Sequence, residues 1–258
     1  MLLVIDSGNT NVVFAVYDGK EQKGHWRATS DSKKTSDEYA VWLTQLMALK
    51  GLSPDDISGA ILANVVPAST YNLTSLCKSY FNCKPLMVEL GKIDLGLEVK
   101  IDHPEQAGAD RLVNAVAGYR RYGGDLIMID FGTATTFDIV GDDGAYEGGV
   151  IAPGVNLSVD ALYMASAKLP RIDIKRPKNI IGKATIPAME SGIFWGYISM
   201  VEGMVKRIKD EYGKPMTVVA TGGLAQLFIK ATDVIDHIDK DVTLRGLIAI
   251  YELNTQND

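Results

Sequence analysis

The chain has 258 residues, 47 % of them apolar and 22 % charged, with a formal net charge of −6. These values describe a soluble globular protein with room for two modest domains or one large one, and they exclude a disordered or fibrous chain. No basic stripe is available to displace counterions from a nucleic-acid backbone, and no apolar run reaches the roughly 18 residues that span a bilayer.

The chain opens on an apolar run, Leu2 to Ile5, with no basic region or cleavage site before it, which points to a cytoplasmic protein. The run ends at Asp6 and gives way to Ser7, Gly8, Asn9, Thr10 and Asn11. Val12 to Tyr17 is apolar again, and Asp18-Gly19 marks a turn. This reads as a hairpin with a wide, glycine-containing tip. A strand that delivers a carboxylate into such a tip suits an anion and its metal. Backbone N–H groups can approach phosphate oxygens, and the carboxylate can hold a hydrated Mg²⁺. The same residues also fit an ordinary hairpin in which Asp6 caps its own turn.

Gly24 to Thr29 reads as a third strand, and Ser36 opens a helix with an apolar stripe through Tyr39, Trp42, Leu43, Leu46 and Leu49. Gly59 to Asn64 is a strand, Ser69 to Tyr80 a helix, and Pro85 to Glu89 and Leu97 to Ile101 are further strands. Alternating β and α signals make this part α/β, with some of its sheet parallel. Cys77 and Cys83 have no further cysteine to build a metal site and are expected to be free thiols. Leu112, Val113, Val116 and Ala117 trace a helical face, with Asp110 and Asn114 sharing a side beside it. Asp110 is either a carboxylate that complements the helix dipole or the acceptor of a proton from a substrate hydroxyl. Arg111 would then pair with an anionic group or hold Asp110 in place.

Half a chain further on the opening pattern returns. Leu126 to Ile129 ends in Asp130-Phe131-Gly132-Thr133-Ala134-Thr135-Thr136, followed by Phe137 to Val140 and the turn residues Gly141 to Gly144. Asp6 and Asp130, Gly8 and Gly132, Val16 and Val140, and Asp18 and Asp142 match at one offset of 124. Two strand–DxG–strand units in register indicate a duplicated fold. The Asp-Phe-Gly triplet does not signal a protein kinase, because no G-x-G-x-x-G loop or H-R-D motif accompanies it. Tyr146 to Gly154 reads as a tight, backbone-exposing turn, Asn156 to Ala167 as a helix, and Leu169 to Pro187 as an irregular, mobile substrate loop. Ser191 to Tyr212 is a long helix. Val218 to Ala220 is a strand ending in Thr221-Gly222-Gly223, with a helix from Leu224 whose amino terminus would receive a ligand. Leu244 to Leu253 is the last helix. His25, His103 and His237 receive no role.

Taken together, these motifs resemble the superfamily of acetate kinase, sugar kinases, heat-shock chaperones and actin, and within it type III pantothenate kinase. The resemblance rests on Asp6 to Asn11, Gly108-Ala109-Asp110-Arg111, Asp130 to Thr135, Glu147-Gly148-Gly149 with Ile151 to Gly154, and Thr221-Gly222-Gly223, in that order along the chain. It implies an α/β, duplicated ribonuclease H-like (actin-like ATPase) fold, with two lobes, 1–117 and 118–258, around a central cleft. It also implies ATP-dependent phosphorylation of pantothenate at its primary hydroxyl, the first step towards coenzyme A. Asp6, Ser7, Gly8, Asn9, Thr10, Asn11, Val12, Val13 and Thr133 would bind ATP phosphates, with Asp6 near Mg²⁺. Gly222 and Gly223 would lie by the adenosine. Gly108, Ala109, Asp110 and Arg111 would line the pantothenate pocket, with Asp110 as proton acceptor and Thr185 as a further contact. Asp130 matches the residue that binds a monovalent cation, K⁺ or NH₄⁺, and the family forms homodimers. Where similar proteins often carry an aromatic residue ahead of the G-x-D-R motif, this chain has Ile101. Neither nucleic acid nor membrane is expected as a partner. Two other readings stay open: another small-molecule kinase of the superfamily, and a nucleotide-binding regulator that has lost catalysis. Intact Asp6, Asp110 and Asp130 argue against the latter.

Overall fold

The computed structural model describes residues 1–166 and 168–255. Two compact units emerge. The first comprises Met1–Leu97, Asp102–Ala117 and the segment from Val242, and the second comprises Glu98–Ile101 and Gly118–Asp241. The expected division into 1–117 and 118–258 follows a single cut of the chain, whereas the last helix packs with the first unit. The reason is local: a Cβ on Gly246 of that helix would meet the Val113 carbonyl at 2.3 Å, so the glycine lets the two helices pack at backbone distance.

In the first unit β1 (Leu2–Ser7), β2 (Asn11–Asp18) and β3 (Glu21–Thr29) form an antiparallel meander. After α1 (Ser36–Ala48), β4 (Gly59–Asn64) joins parallel to β1, and after α2 (Thr70–Tyr80), β5 (Leu86–Met87) joins parallel to β4. The order is β3-β2-β1-β4-β5. Helix α3 (Ala109–Tyr122) begins in this unit.

The second unit repeats the plan. Strands β6 (Leu126–Phe131), β7 (Ala134–Val140) and β8 (Tyr146–Pro153) make an antiparallel meander, followed by α4 (Val155–Met164) and α5 (Thr185–Tyr212). Strand β9 (Thr217–Thr221) is parallel to β6; after α6 (Ala225–Phe228), β10 (His237–Ile238) is parallel to β9, and α7 (Val242–Thr255) closes the chain. The order β10-β9-β6-β7-β8 is the wiring of the first sheet.

Equivalence runs deeper than topology. Both third strands bulge at the same place, after Val16 opposite Gly24 and after Ile139 opposite Gly148. One detail corrects the sequence reading. Leu2 pairs with Tyr17 and Leu126 with Val140, so Val140 corresponds to Tyr17 and not to Val16. The second hairpin tip, 132–133, is one residue shorter than the first, 8–10, which shifts the offset across the tip.

Helix α1 is started by a capping box: the Glu38 N–H donates to Thr35 Oγ1 at 3.3 Å and the Thr35 N–H to Glu38 Oε2 at 2.8 Å. Its buried stripe is Tyr39, Ala40, Leu43 and Met47, while Leu49, expected inside, is 82 % exposed on the far side of the last turn. That stripe packs on Leu3, Ile5, Val12 and Phe14 of the first sheet. In the second unit Phe194, Tyr197, Ile198, Val201 and Val205 of α5 cover Ile127, Ile129, Phe131 and Phe137. Burying such side chains contributes about 1.5–3 kcal/mol each.

Four further readings change. Leu97 to Ile101 is a single bridge, Val99 beside Tyr146, because only the Lys100 and Tyr146 amides find ladder partners there. Tyr146 to Pro153 is a strand, with Gly148 at φ +119 supplying the bulge and not a turn. The segment before α5 has no helix or strand, as expected, but it ends ahead of Thr185 and not at Pro187; along it Arg171 pairs with Asp160 at 3.0 Å, Lys175 with Glu190 at 2.9 Å, and the Arg176 guanidinium, over the Trp195 ring, donates to the Lys230 carbonyl at 3.0 Å. Helix α5 starts at Thr185, ahead of the expected Ser191. Ala167, included in the expected fourth helix, lies outside the described residues.

Candidate active site

Strand β1 lies between β2 and β4, so Asp6 is held by Val13 on one side and Ala63 on the other. The Gly8 N–H donates to the Asn11 carbonyl at 2.9 Å and closes the tip. The Thr10 carbonyl accepts from the Ser30 N–H at 2.9 Å, which ties the tip to the end of β3. Asn9 and Thr10 are exposed, Asp6, Gly8, Asn11 and Val13 half-buried, and Ser7 and Val12 buried. Ser7 and Val12, both 0 % exposed, lie beneath the surface of the tip. Ser7 Oγ has no hydrogen-bond partner among the described residues.

The G-A-D-R segment forms the first turn of α3. Gly108 accepts from the Arg111 and Leu112 N–H groups at 3.1 and 3.2 Å, and Asp110 Oδ1 accepts from the Arg111 N–H at 2.8 Å. A Cβ on Gly108 would stand 2.5 Å from that same Oδ1, so any larger residue there would displace the carboxylate. Burial raises the proton affinity of Asp110, and the amide and charge of Arg111 oppose the rise. Asn114, one turn on from Asp110, is 2 % exposed, and its Oδ1 accepts from Thr243 Oγ1 at 2.7 Å, joining α3 to α7.

In the second unit the Gly132 N–H donates to the Ala134 carbonyl at 3.1 Å, leaving Thr133 exposed at the tip. Gly154, the N-cap of α4, donates to the Thr133 carbonyl at 3.2 Å, so the tip lies against the amino terminus of that helix, where anions are favoured. Asp130 is half-buried between Thr136 of β7 and Thr221 of β9. Gly222, at φ +92, passes so close that a Cβ would meet Asp130 Oδ1 and the Phe131 carbonyl at 2.6 Å each. Nothing lies within 4 Å of a Cβ on Gly223. Helix α6 after these glycines is a single turn running into a 3-10 turn, too short for the helix-end ligand site expected there. Thr185 is exposed at the first position of α5, and Ile101 lies near Gly148.

The donor set tests which ions fit. Carboxylate, hydroxyl and carbonyl oxygens around Asp130 suit a hard cation. Among the described residues no group of three or more His, Cys, Asp or Glu is placed to cage a metal. A divalent ion would thus be held by one carboxylate plus phosphate oxygens and water, the usual manner for Mg²⁺. Sequence reasoning gave no role to Thr136, Thr221 or Asp138, although the period-two spacing of Thr136 and Asp138 puts both on the face of Asp130.

Solved structures with this architecture bear out the fold. A putative 2-dehydro-3-deoxygalactonokinase from Sinorhizobium meliloti superposes with a TM-score of 0.63 at 11 % identity, over 98 % of this chain and 96 % of that one. A Campylobacter jejuni protein described as a conserved putative Baf family transcriptional activator gives 0.62 at 20 % identity, covering 97 % of each chain. The fold and its paired hairpins are those of the sugar kinases and actin-like ATPases. The sequence model for type III pantothenate kinase matches residues 2–207. Type III pantothenate kinases from Paramagnetospirillum magneticum and Rhodospirillum rubrum are 60 % and 59 % identical, over 99 % and 98 % of this chain and 98 % and 99 % of theirs. The chain belongs to the type III pantothenate kinase family, and it is a kinase.

Proposed function

We propose that this chain transfers the γ-phosphoryl group of ATP to the primary hydroxyl of pantothenate, forming 4′-phosphopantothenate in coenzyme A synthesis. The observation that carries the reading is the full-length family match, which spans both hairpins and the G-A-D-R turn. Phosphoryl transfer through a loose transition state needs alignment and charge neutralisation more than covalent chemistry. Asp6 to Val13 form the phosphate-binding hairpin, with Asn9 and Thr10 exposed at its tip to offer donors to phosphate and the Asp6 carboxylate facing the Mg²⁺ that arrives with ATP. Thr133 contacts phosphate, and Gly222 with Gly223 offers a flat surface to adenosine. Gly108, Ala109 and Arg111 shape the pantothenate pocket, and Thr185 adds a contact. Asp110 orients the hydroxyl and takes its proton as the new P–O bond forms and ADP leaves; burial makes it a stronger base than an ordinary aspartate. Asp130 holds the monovalent cation, K⁺ or NH₄⁺, which offsets phosphate charge in a protein of net charge −6.

The working form is a homodimer. Leu157, Tyr163, Met164, Ile180, Ile181 and Ile186 of the second unit are each 47 % exposed or more, apolar side chains of the kind a second copy would cover. A cytoplasmic setting agrees with the free thiols of Cys77 and Cys83. No helix among the described residues is long and apolar enough to cross a membrane. The test is ADP release with Mg²⁺ and K⁺ across a panel of acceptors. Turnover with pantothenate and none with glycerol, hexoses or acetate is expected; turnover with a sugar alone would move the enzyme to another branch of the superfamily.

A further inference from the structure

The duplication supplies an internal control for the second hairpin. Asp6 and Asp130 occupy equivalent positions, and residues directly opposite one another on adjacent strands project from the same face. Asp6 is flanked by Val13 and Ala63, both apolar, whereas Asp130 is flanked by Thr136 and Thr221. Ala15 opposes Val4 where Asp138 opposes Met128, and Gln22 opposes Tyr17 where Tyr146 opposes Val140. The second hairpin thus sets a threonine directly opposite its carboxylate on each flanking strand, where the first sets a valine and an alanine.

The bonds in that chemistry are directional. Asp138 is 1 % exposed and Tyr146 fully buried. The Tyr146 hydroxyl donates to Asp138 Oδ1 at 2.9 Å, and Thr136 Oγ1 donates to Asp138 Oδ2 at 2.9 Å. A threonine hydroxyl has one proton and two lone pairs. With its proton committed to Asp138, Thr136 Oγ1 turns lone pairs, and no donor, to the face it shares with the acceptor-only carboxylate of Asp130. The carboxylate and the hydroxyl lone pairs, on neighbouring strands and one face, offer oxygen ligands to a hard cation. A buried carboxylate is costly unless its oxygens are satisfied, so the Asp138–Tyr146 pair is a built support for the Thr136 hydroxyl.

We propose that Thr136 Oγ1 is a ligand of the monovalent cation at Asp130, with Asp138 and Tyr146 as the positioning residues that fix its proton away from the ion. The proposal rests on the cation reading given above. It also separates the two hairpins: the apolar flanks of Asp6 suit an ion that keeps its water shell, as Mg²⁺ does, and the hydroxyl flank of Asp130 suits one that sheds part of it.

The test follows thermal unfolding of the full chain with a non-hydrolysable ATP analogue and Mg²⁺, as KCl replaces choline chloride at constant ionic strength. An ion that binds the native state raises the midpoint. Thr136→Val, which keeps the shape and removes the oxygen, should need about tenfold more K⁺ for the half-maximal shift, and Thr136→Ser should stay within about threefold of wild type. Midpoints in choline alone establish that each variant folds. A Thr136→Val protein that responds to K⁺ like wild type, while Asp130→Asn does not, would overturn the Thr136 assignment and leave the cation reading standing. Equal losses in the Ser and Val variants would also overturn it, by showing that volume and not the hydroxyl matters. A wild-type protein indifferent to K⁺ would remove both readings.

Discussion

Gly154→Ala probes whether the second hairpin tip is held where catalysis needs it. Gly154 has an ordinary φ of −67, so alanine brings no backbone strain. Its Cβ would lie 2.2 Å from the Thr133 carbonyl oxygen and 2.7 Å from that of Gly132, both backbone atoms that no rotamer change can move. To open the closer contact from 2.2 to 3.4 Å, the tip or the start of α4 must shift by roughly 1.2 Å, an overpacking that costs about 1–3 kcal/mol. A displacement of about 1 Å in a group that positions substrate costs on the order of 10² in rate. Steady-state kinetics should therefore show kcat/KM for ATP reduced about a hundredfold, with a thermal midpoint lowered by several degrees. Gly223→Ala, with open space around its Cβ, should keep the wild-type midpoint. A Gly154→Ala enzyme with more than about half of wild-type kcat/KM, at whatever stability, would refute the reasoning, because the tip would then be free to move without consequence.

Other outcomes follow from the same structure. Asp110→Asn should lower kcat by about 10²–10⁴ and leave ATP affinity within a small factor, as titration with a fluorescent nucleotide would measure. Because burial raises the folded-state proton affinity of Asp110, activity should fall as pH drops through a value higher than that of an ordinary aspartate, and this acid limb should vanish in the residual rate of the Asn variant. The stability sign is the opposite: the native state binds this proton more tightly than the unfolded chain, so Asp110 weakens the fold as pH rises through the interval between the two values. Asp110→Asn should accordingly unfold at a higher temperature than wild type at neutral pH. Gly196→Ala, in the interior of α5 with open space around its Cβ, should stabilise by about 0.5–1 kcal/mol in thermal melts.

Much of the architecture was legible because its signals are local. The apolar runs ending at Asp6 and Asp130 and the glycines at the tips mark the two hairpins through chain geometry alone. What was lost depended on partners distant in sequence. Leu97 to Ile101 has strand-like residues, but only Tyr146 offers it a ladder. Gly148 and Gly149 look like a turn because a bulge and a turn both use glycine, and only the pairing with Ile139 and Asp138 tells them apart. Strand β10 is two residues long and carries no periodicity to detect. The carboxylates of the candidate site stood out as single residues. Their surroundings did not: that Asp138 takes protons from both Thr136 on its own strand and Tyr146 of β8, on the face that carries Asp130 of β6, is a statement about three strands in register.

The most direct test of the central claim is to identify the product. The enzyme would be incubated with ATP, Mg²⁺, K⁺ and pantothenate, and the proton-coupled ³¹P spectrum recorded. A new phosphomonoester resonance split into a triplet by a methylene group, growing with ADP and lost in Asp110→Asn, is the predicted result. A doublet would place the phosphate on the secondary hydroxyl, and ADP with only inorganic phosphate would mean hydrolysis without an acceptor. Either would contradict the assignment of pantothenate's primary hydroxyl to the Asp110 site.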